Sequence, residues 1–443
     1  MSERRKTGLR RLAAAIVGLL LIATSAVWLL NRNGDVSDPS VEFTAPVPRK
    51  APKATPETFV WPMYGYTRNR TRALVTDLKP PFKPLWRYNA NQLLEFSPIL
   101  ARGTLYMVRK DATVFAIDAK TGVRRWARKV GDLSAASPAY ANGRVFIATL
   151  SGRIVCLDAK TGRARWGKSI GSRTESSPLV LGKSIVVGSE SGRLYRLRQN
   201  SGATEWTYDA GGAIKGGPAW AYGKIFVGAY GGTVQAIRAS SGKQVWRRST
   251  SGARFGFGAG NFYATPSVAY GRVYIGNTDG KVYSFAASSG QLAWTKTTGA
   301  FVYSAAAVDN VAKIGATVFV GSYDRNFYAL NARTGGVRWS FNSGGQISGA
   351  PTVVGGVVYF STIDTTETFG LDVRNGKRVF HRNSGAYNPV ISDGRRIFLT
   401  GYESLSMLVP KSQLRSSRGE MRRARANLRR ERRAARARKA AAQ

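Results

Sequence analysis

One cysteine and one histidine are all that this chain of 443 residues offers of the side chains most used for nucleophilic, proton-transfer and soft-metal chemistry. Cys156 lies in the apolar run Ile154-Val155-Cys156-Leu157, where a small buried core residue is expected, and alone it excludes an intrachain disulfide or a multi-cysteine metal site. His381 follows Phe380 between Arg378 and Arg382 in a strand-like run, a half-exposed position rather than an acid–base one. Glu95, Asp132, Glu175 and Asp324 fall singly in different stretches, whereas a hard cation needs several oxygens converging on one point. No metal site, bound cofactor or catalytic residue is therefore expected. What remains is recognition chemistry. Arg173, Lys215 and Arg254 are interleaved with Phe255, Phe257, Phe262, Tyr263, Tyr303 and Tyr387, and Tyr230 and Tyr323 stand in nearby turns. Cationic and aromatic groups together suit a peptide, a glycan or a polyanion. The alternative is that these aromatics only fill a central channel.

These residues are placed by one unit written eight times, clearest over residues 137–171. A Ser137-Pro138 step leads to a turn at Asn142-Gly143, then Val145-Phe146-Ile147-Ala148, a turn at Ser151-Gly152, the run Arg153–Leu157, and a third turn at Thr161-Gly162 before Trp166. Short β-branched and aromatic runs between regularly spaced turns predict a four-stranded antiparallel meander. The closing aromatic recurs at Trp86, Trp126, Trp166, Trp206, Trp246, Trp294, Trp339 and Phe380. A period of roughly forty residues with four strands per unit predicts a β-propeller whose closing aromatics belong to the core. Eight inner strands begin between Ser97-Pro98 and Asn388-Pro389, yet Trp86 precedes the first and the last unit has no closing aromatic of its own. The segment around Trp86 is therefore expected to be the outer strand of the last blade, which closes an eight-bladed ring and leaves no open edge. Surplus residues fall at Gly252–Phe262, at the end of the ring that carries the candidate residues, and at Asn310–Gly315, at the opposite end.

At the level of the repeat, Val145-Phe146-Ile147-Ala148, Leu157-Asp158-Ala159-Lys160-Thr161-Gly162 and Trp166 resemble the pyrroloquinoline-quinone (PQQ) repeat family, and Trp61-Pro62-Met63-Tyr64-Gly65 is similar to that family's usual approach to its first strand. The resemblance covers roughly residues 59–410 and implies an all-β, eight-bladed propeller in which each repeated Trp docks on the next blade. It also implies two functional branches. Quinoprotein alcohol dehydrogenases of the family carry an adjacent cysteine pair, a calcium-bound quinone and a catalytic aspartate. Cys156 alone excludes the pair, and no acidic cluster is apparent in the loops. The other branch, non-catalytic scaffold propellers such as the outer-membrane assembly lipoprotein, fits better, although no cysteine near the N-terminus could carry a lipid.

The termini add a membrane expectation. Leu12–Leu30 contains no charge, and its nineteen residues come to about 28 Å as a helix, close to the apolar thickness of a bilayer. Basic residues precede it, so the expectation is an uncleaved single-pass signal anchor with residues 1–11 in the cytoplasm and the propeller, 58–410, outside. A cleaved signal peptide, with Thr24-Ser25-Ala26 near the cut, is the alternative. Residues 31–57 hold five prolines and read as a tether. The net charge is +42; residues 1–11 carry +4 and those from Lys411 onward +11, which leaves +27 for tether and propeller. The tail 411–443, rich in Arg and Ala, is expected to become helical on an anionic surface. An exported tail leaves lipid headgroups or anionic wall polymers as its partners, not nucleic acid. The sequence thus points to a membrane-anchored, non-catalytic scaffold that binds envelope proteins or anionic polymers, with a quinoprotein-like oxidoreductase as the alternative.

Overall fold

The computed structural model describes residues 34–47, 50–52, 55–250 and 260–441. The chain divides into two units, Met1–Val36 and Ser37–Gln443. Only residues 34–36 of the first are described, without regular structure, so the expected anchor Leu12–Leu30 lies outside the described residues. Among the described residues no helix is long and apolar enough to cross a membrane.

Eight antiparallel sheets form the second unit. Blade 1 runs Ile99–Ala101, Thr104–Val108, Thr113–Asp118 and Arg124–Lys129, from the axis outward, and the pattern repeats to blade 7, which ends at Arg378–Arg382. In blade 8, strands Val390–Ser392, Ile397–Thr400 and Ser404–Pro410 receive Phe82–Asn89 as their outer strand, with Trp86 opposite Met407. The closure read from the phase of Trp86 is what the structure shows. Because successive strands reverse, the first and third turns of every blade lie at one end of the ring, here the base. The second turns and the connections between blades lie at the other, the mouth.

The repeated motif holds blade to blade. Trp126 Nε1 donates to the Ala159 carbonyl at 3.1 Å, and its ring lies where a side chain on Gly162 would be, 2.7 Å from a Cβ there. Gly162 has φ +71°, so Thr-Gly serves the turn and the docking of the neighbour's indole at once. The same pair joins Trp86 to Ala119 and Gly122, and Trp294 to Ala332 and Gly335. Phe380 stands in the eighth place and packs edge-on against Phe82. Blade 8 has no third turn there, since its outer strand comes from the other end of the repeat array, so no carbonyl awaits an indole N–H. At the axis the Ser-Pro steps do similar work: Ser137 Oγ donates to Ser97 O at 2.7 Å and Ser177 Oγ accepts from Ser137 N at 2.9 Å.

The channel at the axis is filled by backbone. Val60–Trp61 adds a fifth strand inside blade 1, and Ala73–Leu74 pairs in parallel with Thr352–Val354 of blade 7. Between them the chain meets the inner strands in turn, Trp220 N donating to Arg68 O, Val268 N to Asn69 O and Val308 N to Thr71 O. Arg70 is fully buried and donates to the carbonyls of Tyr64, Ser177, Pro178 and Pro218. Burial lowers its pKa to about 9, which leaves it cationic at neutral pH. The stretch expected only as an approach to the first strand is thus a plug.

Two terminal stretches differ from expectation. Part of the tether is strapped to the base: Asp38 N donates to Ala293 O, Thr44 N to Tyr270 O, and the Arg272 guanidinium to the carbonyls of Val41 and Glu42, with Val41 buried. The tail is a helix, α1 (Leu414–Ala441), and it docks on protein. Leu414 and Met421 pack against the core of blades 8 and 1, Arg425 donates to Thr121 O, and Lys120 pairs with Glu420 at 3.3 Å. Positions 419 and 425 are partly buried, and so is the series 414, 417, 421, 424 and 428. That seven-residue spacing makes a narrow seam in which Ser and Ala let the helix lie close, hidden in a sequence whose large residues are nearly all arginine.

Candidate functional site

The inter-blade connections reach the axis at a fixed offset, three residues before the position that opens each inner strand, a proline in every blade but the sixth, where it is Ala306. At the mouth this position holds Glu95, Glu175, Lys215 and Tyr263, with Tyr303 and Ser348 at the equivalent places in blades 6 and 7. All six line one cavity of about 350 Å³ above the plug, whose Tyr64 forms part of the floor. Tyr230 and Tyr323 lead the second turns of blades 4 and 6 and join the wall, as do Phe96, Tyr387 and Asn388. Gly349, beneath Tyr387, has no room for a Cβ against the Tyr387 carbonyl.

One wall is ionic. Lys215 Nζ donates to Glu175 at 3.1 Å and lies 3.3 Å from Glu190. Arg173 donates to Glu190 at 2.9 Å and to Glu175 at 3.2 Å. Tyr263 Oη donates to the other Glu175 oxygen at 2.7 Å. Burial works against the Glu175 carboxylate, but the hydrogen bonds from Tyr263 and Lys215 outweigh it, so its pKa lies below the usual range. For Lys215 burial is likewise outweighed by Glu175, and its pKa is raised. Arg173 and Lys215, two of the cations expected to face a ligand, are thus matched within the protein.

The facing wall is aromatic. Tyr263 meets Tyr303 edge-on with centroids 5.4 Å apart, Tyr303 and Tyr323 are 4.9 Å apart, and Phe301, 49% exposed, leans on both Tyr303 and Tyr323. Lys215 lies 5.7 Å from the Tyr230 ring and 5.8 Å from that of Tyr263. Burial raises the Tyr230, Tyr303 and Tyr387 phenols, so they act as neutral donors and acceptors. Glu95 faces the same space; burial and the nearby Glu175 raise its pKa, and among the described residues no hydrogen bond reaches its carboxylate.

Of the residues singled out from sequence, Arg173, Lys215, Tyr230, Tyr263, Tyr303, Tyr323 and Tyr387 come together at the mouth. Phe262 does not: it is fully buried between blades 4 and 5, edge-on to Tyr283, because its connection turns it into the gap left by Gly228. Arg254, Phe255 and Phe257 lie outside the described residues. Missed were Tyr64, which only the plug brings to the cavity, and Glu95 as part of a common site; the offset from the position that opens each inner strand, taken across all eight repeats, is the signal that finds it. Cys156 is buried with its thiol pushed up to about 12, and His381, on the outer strand of blade 7, pairs with Glu367 at 2.8 Å and lies against the Phe369 ring, centroids 5.0 Å apart. Among the described residues no three His, Cys, Asp or Glu side chains are grouped to hold a metal.

A family model described as outer membrane protein assembly factor BamB matches residues 66–137, 128–312 and 302–419. The chain belongs to that family. Its fold is shared with BamB from Moraxella catarrhalis, at 19% identity and TM-score 0.60 over 74% of this chain and 100% of that one. It is shared equally with a europium-containing methanol dehydrogenase, at 14% identity and TM-score 0.64 over 80% and 98%. A quinohemoprotein alcohol dehydrogenase from Comamonas testosteroni matches at 13% identity and TM-score 0.65 over 79% and 80%. At such identities the likeness speaks for architecture only. No curated protein matches the sequence. The PQQ-repeat propeller of the assembly-factor kind, expected from the repeats, is what the BamB family match and the eight blades show.

Proposed function

We propose that this chain is a membrane-anchored, extracytoplasmic propeller that serves as a non-catalytic binding module and seats a segment of a partner protein at the tyrosine-lined mouth. The observation that carries this reading is the composition of the cavity: phenols, a carboxylate and an ion network already satisfied within the protein, on a rigid ring. Such a surface offers stacking and hydrogen bonds to an extended chain at little ordering cost. BamB, by the name of its family an assembly factor, supports a scaffold role. A calcium-bound quinone fits the described residues poorly. Among the described residues no three acids are grouped for the metal, and Arg173 and Lys215 are committed to Glu175 and Glu190.

The anchored part of the reading rests on the uncharged run Leu12–Leu30 behind five basic residues. The binding part is tested by a photo-crosslinking residue placed at Tyr323 in the full chain and, as control, at Lys243 on the base. A discrete adduct at Tyr323, absent at Lys243 and lost when Tyr303→Ala and Tyr387→Ala are added, supports the reading. The fold shared with the dehydrogenases keeps an oxidoreductase as the second reading. Quinone absorption in the purified protein, with dye reduction that depends on it, would establish that reading and overturn the first.

A further inference from the structure

The two ends of the ring carry opposite charge. In the turns of the base there are twelve Lys or Arg, among them Lys120, Arg333 and Lys377, against one acid, Asp393. In the described turns and connections of the mouth, five Lys or Arg stand against ten acids, among them Glu95, Glu190 and Asp324. Both terminal elements gather at the basic end. The strap Ser37–Thr44 is held there by the turns of blades 5 and 6, Ser37 Oγ donating to Thr334 O at 2.8 Å. Helix α1 lies across the base of blades 8 and 1, with twelve Lys or Arg against two Glu. At 100° per residue, Arg415, Arg418, Arg422, Arg429 and Arg433 form a ridge beside the docking seam, and the exposed ones stand free of it. Arg422, Arg429 and Arg433, with Arg425, flank a shallow cleft along the helix.

We infer that the base, with helix α1, is a docking surface for an anionic lipid bilayer, and that docking turns the tyrosine-lined mouth away from the membrane. Charge complementarity favours this occupant: a predominantly basic face, in which Asp38, Glu42, Asp393, Glu420 and Glu431 are outnumbered by Lys and Arg, suits an array of anionic headgroups, and each added basic group strengthens the attraction. Chain length favours it too, on the anchored reading given above. Seven steps separate Leu30 from Ser37, which is at most roughly 25 Å of extended chain. A propeller tethered so closely at its base meets the headgroups with that face first. The acidic rim of the mouth is repelled from the same surface.

The test uses the full chain in vesicles of phosphatidylcholine alone or with about a third phosphatidylglycerol. A fluorophore is attached at Lys377→Cys on the base or at Glu403→Cys on the mouth, since native Cys156 is buried, and energy transfer to a headgroup dye is read over a salt series. In anionic vesicles the base probe should transfer strongly and the mouth probe weakly, and salt should erase the difference, because exposed charges are screened over about 8 Å at physiological ionic strength. Reversing Arg422, Arg429 and Arg433 to Glu should weaken both the base transfer and its response to lipid charge roughly as salt does. The matched reversal of Lys110, Arg193 and Arg325 at the mouth should leave both unchanged. Equal transfer from the two probes, or no response to lipid charge, overturns the proposal. Preference for DNA or an anionic wall polymer over anionic vesicles at equal charge overturns the choice of occupant. Failure to float with neutral vesicles in high salt would refute the anchor instead and leave the lipid arm of the test readable.

Discussion

Each repeated tryptophan does two things, and the structure shows how unequal the positions are. Trp294 is fully buried and carries the indole bond to Ala332, whereas Trp206, with the corresponding bond to Ala239, is only half-buried. Both truncations lose a hydrogen bond and leave a void, but only the first lies wholly within the core. Trp294→Ala should cost about 3–5 kcal/mol and Trp206→Ala distinctly less, about 2 kcal/mol. Urea unfolding of the two variants measures the order; equal losses would mean that the indole bond, not burial, sets the scale.

At the scale of elements, the plug puts two cations, Arg70 and Arg72, in the interior with no carboxylate beside them among the described residues. Arg72 stacks its guanidinium 3.9 Å from the Tyr64 ring centroid, and Arg70 serves four carbonyls. Those carbonyls belong to the plug and to the starts of blades 3 and 4, so a single side chain ties three stretches of chain together. Arg70→Met keeps the bulk and removes the donors. It should cost about 3 kcal/mol, the penalty of leaving buried acceptors unpaired. It should also speed hydrogen exchange in the inner strands of blades 3 and 4 before the outer ones. Uniform exchange across all blades would show that the plug does not fasten that side of the ring.

For the whole molecule, closure and tail can be separated by truncation. Removing residues 411–443 takes away α1 and uncovers the patch under Leu414 and Met421, a loss of about 1–2 kcal/mol with the ring intact. Stopping at Glu403 also removes Ser404–Pro410, the partner of Phe82–Asn89, and opens the ring at two edges. The first variant should stay folded, in the same oligomeric state as the full chain and with slightly lowered Tm, and the second should aggregate, as size-exclusion chromatography and thermal unfolding will show.

The sequence by itself determined the architecture. Period, turn chemistry and closing aromatics specify a propeller because every blade solves the same local problem, and the phase of Trp86 specifies its closure because a ring leaves no strand unpaired. It also determined the offset at which connections reach the axis, and with it much of the mouth. Tertiary structure alone decided what fills the axis, since the plug pairs through its backbone with six blades, most of them far away in sequence, and carries no repeat of its own. It alone decided that Phe262 is core and that Lys215 and Arg173 are neutralised, because which acid stands beside a cation depends on which turns converge. The seam of α1 was similarly out of reach: between Leu414, Met421 and Leu428 it relies on Ser417 and Ala424, which gain meaning only against the surface they approach. The polarity of charge between base and mouth follows last, for it exists only once antiparallel strands have sorted alternate turns to opposite ends.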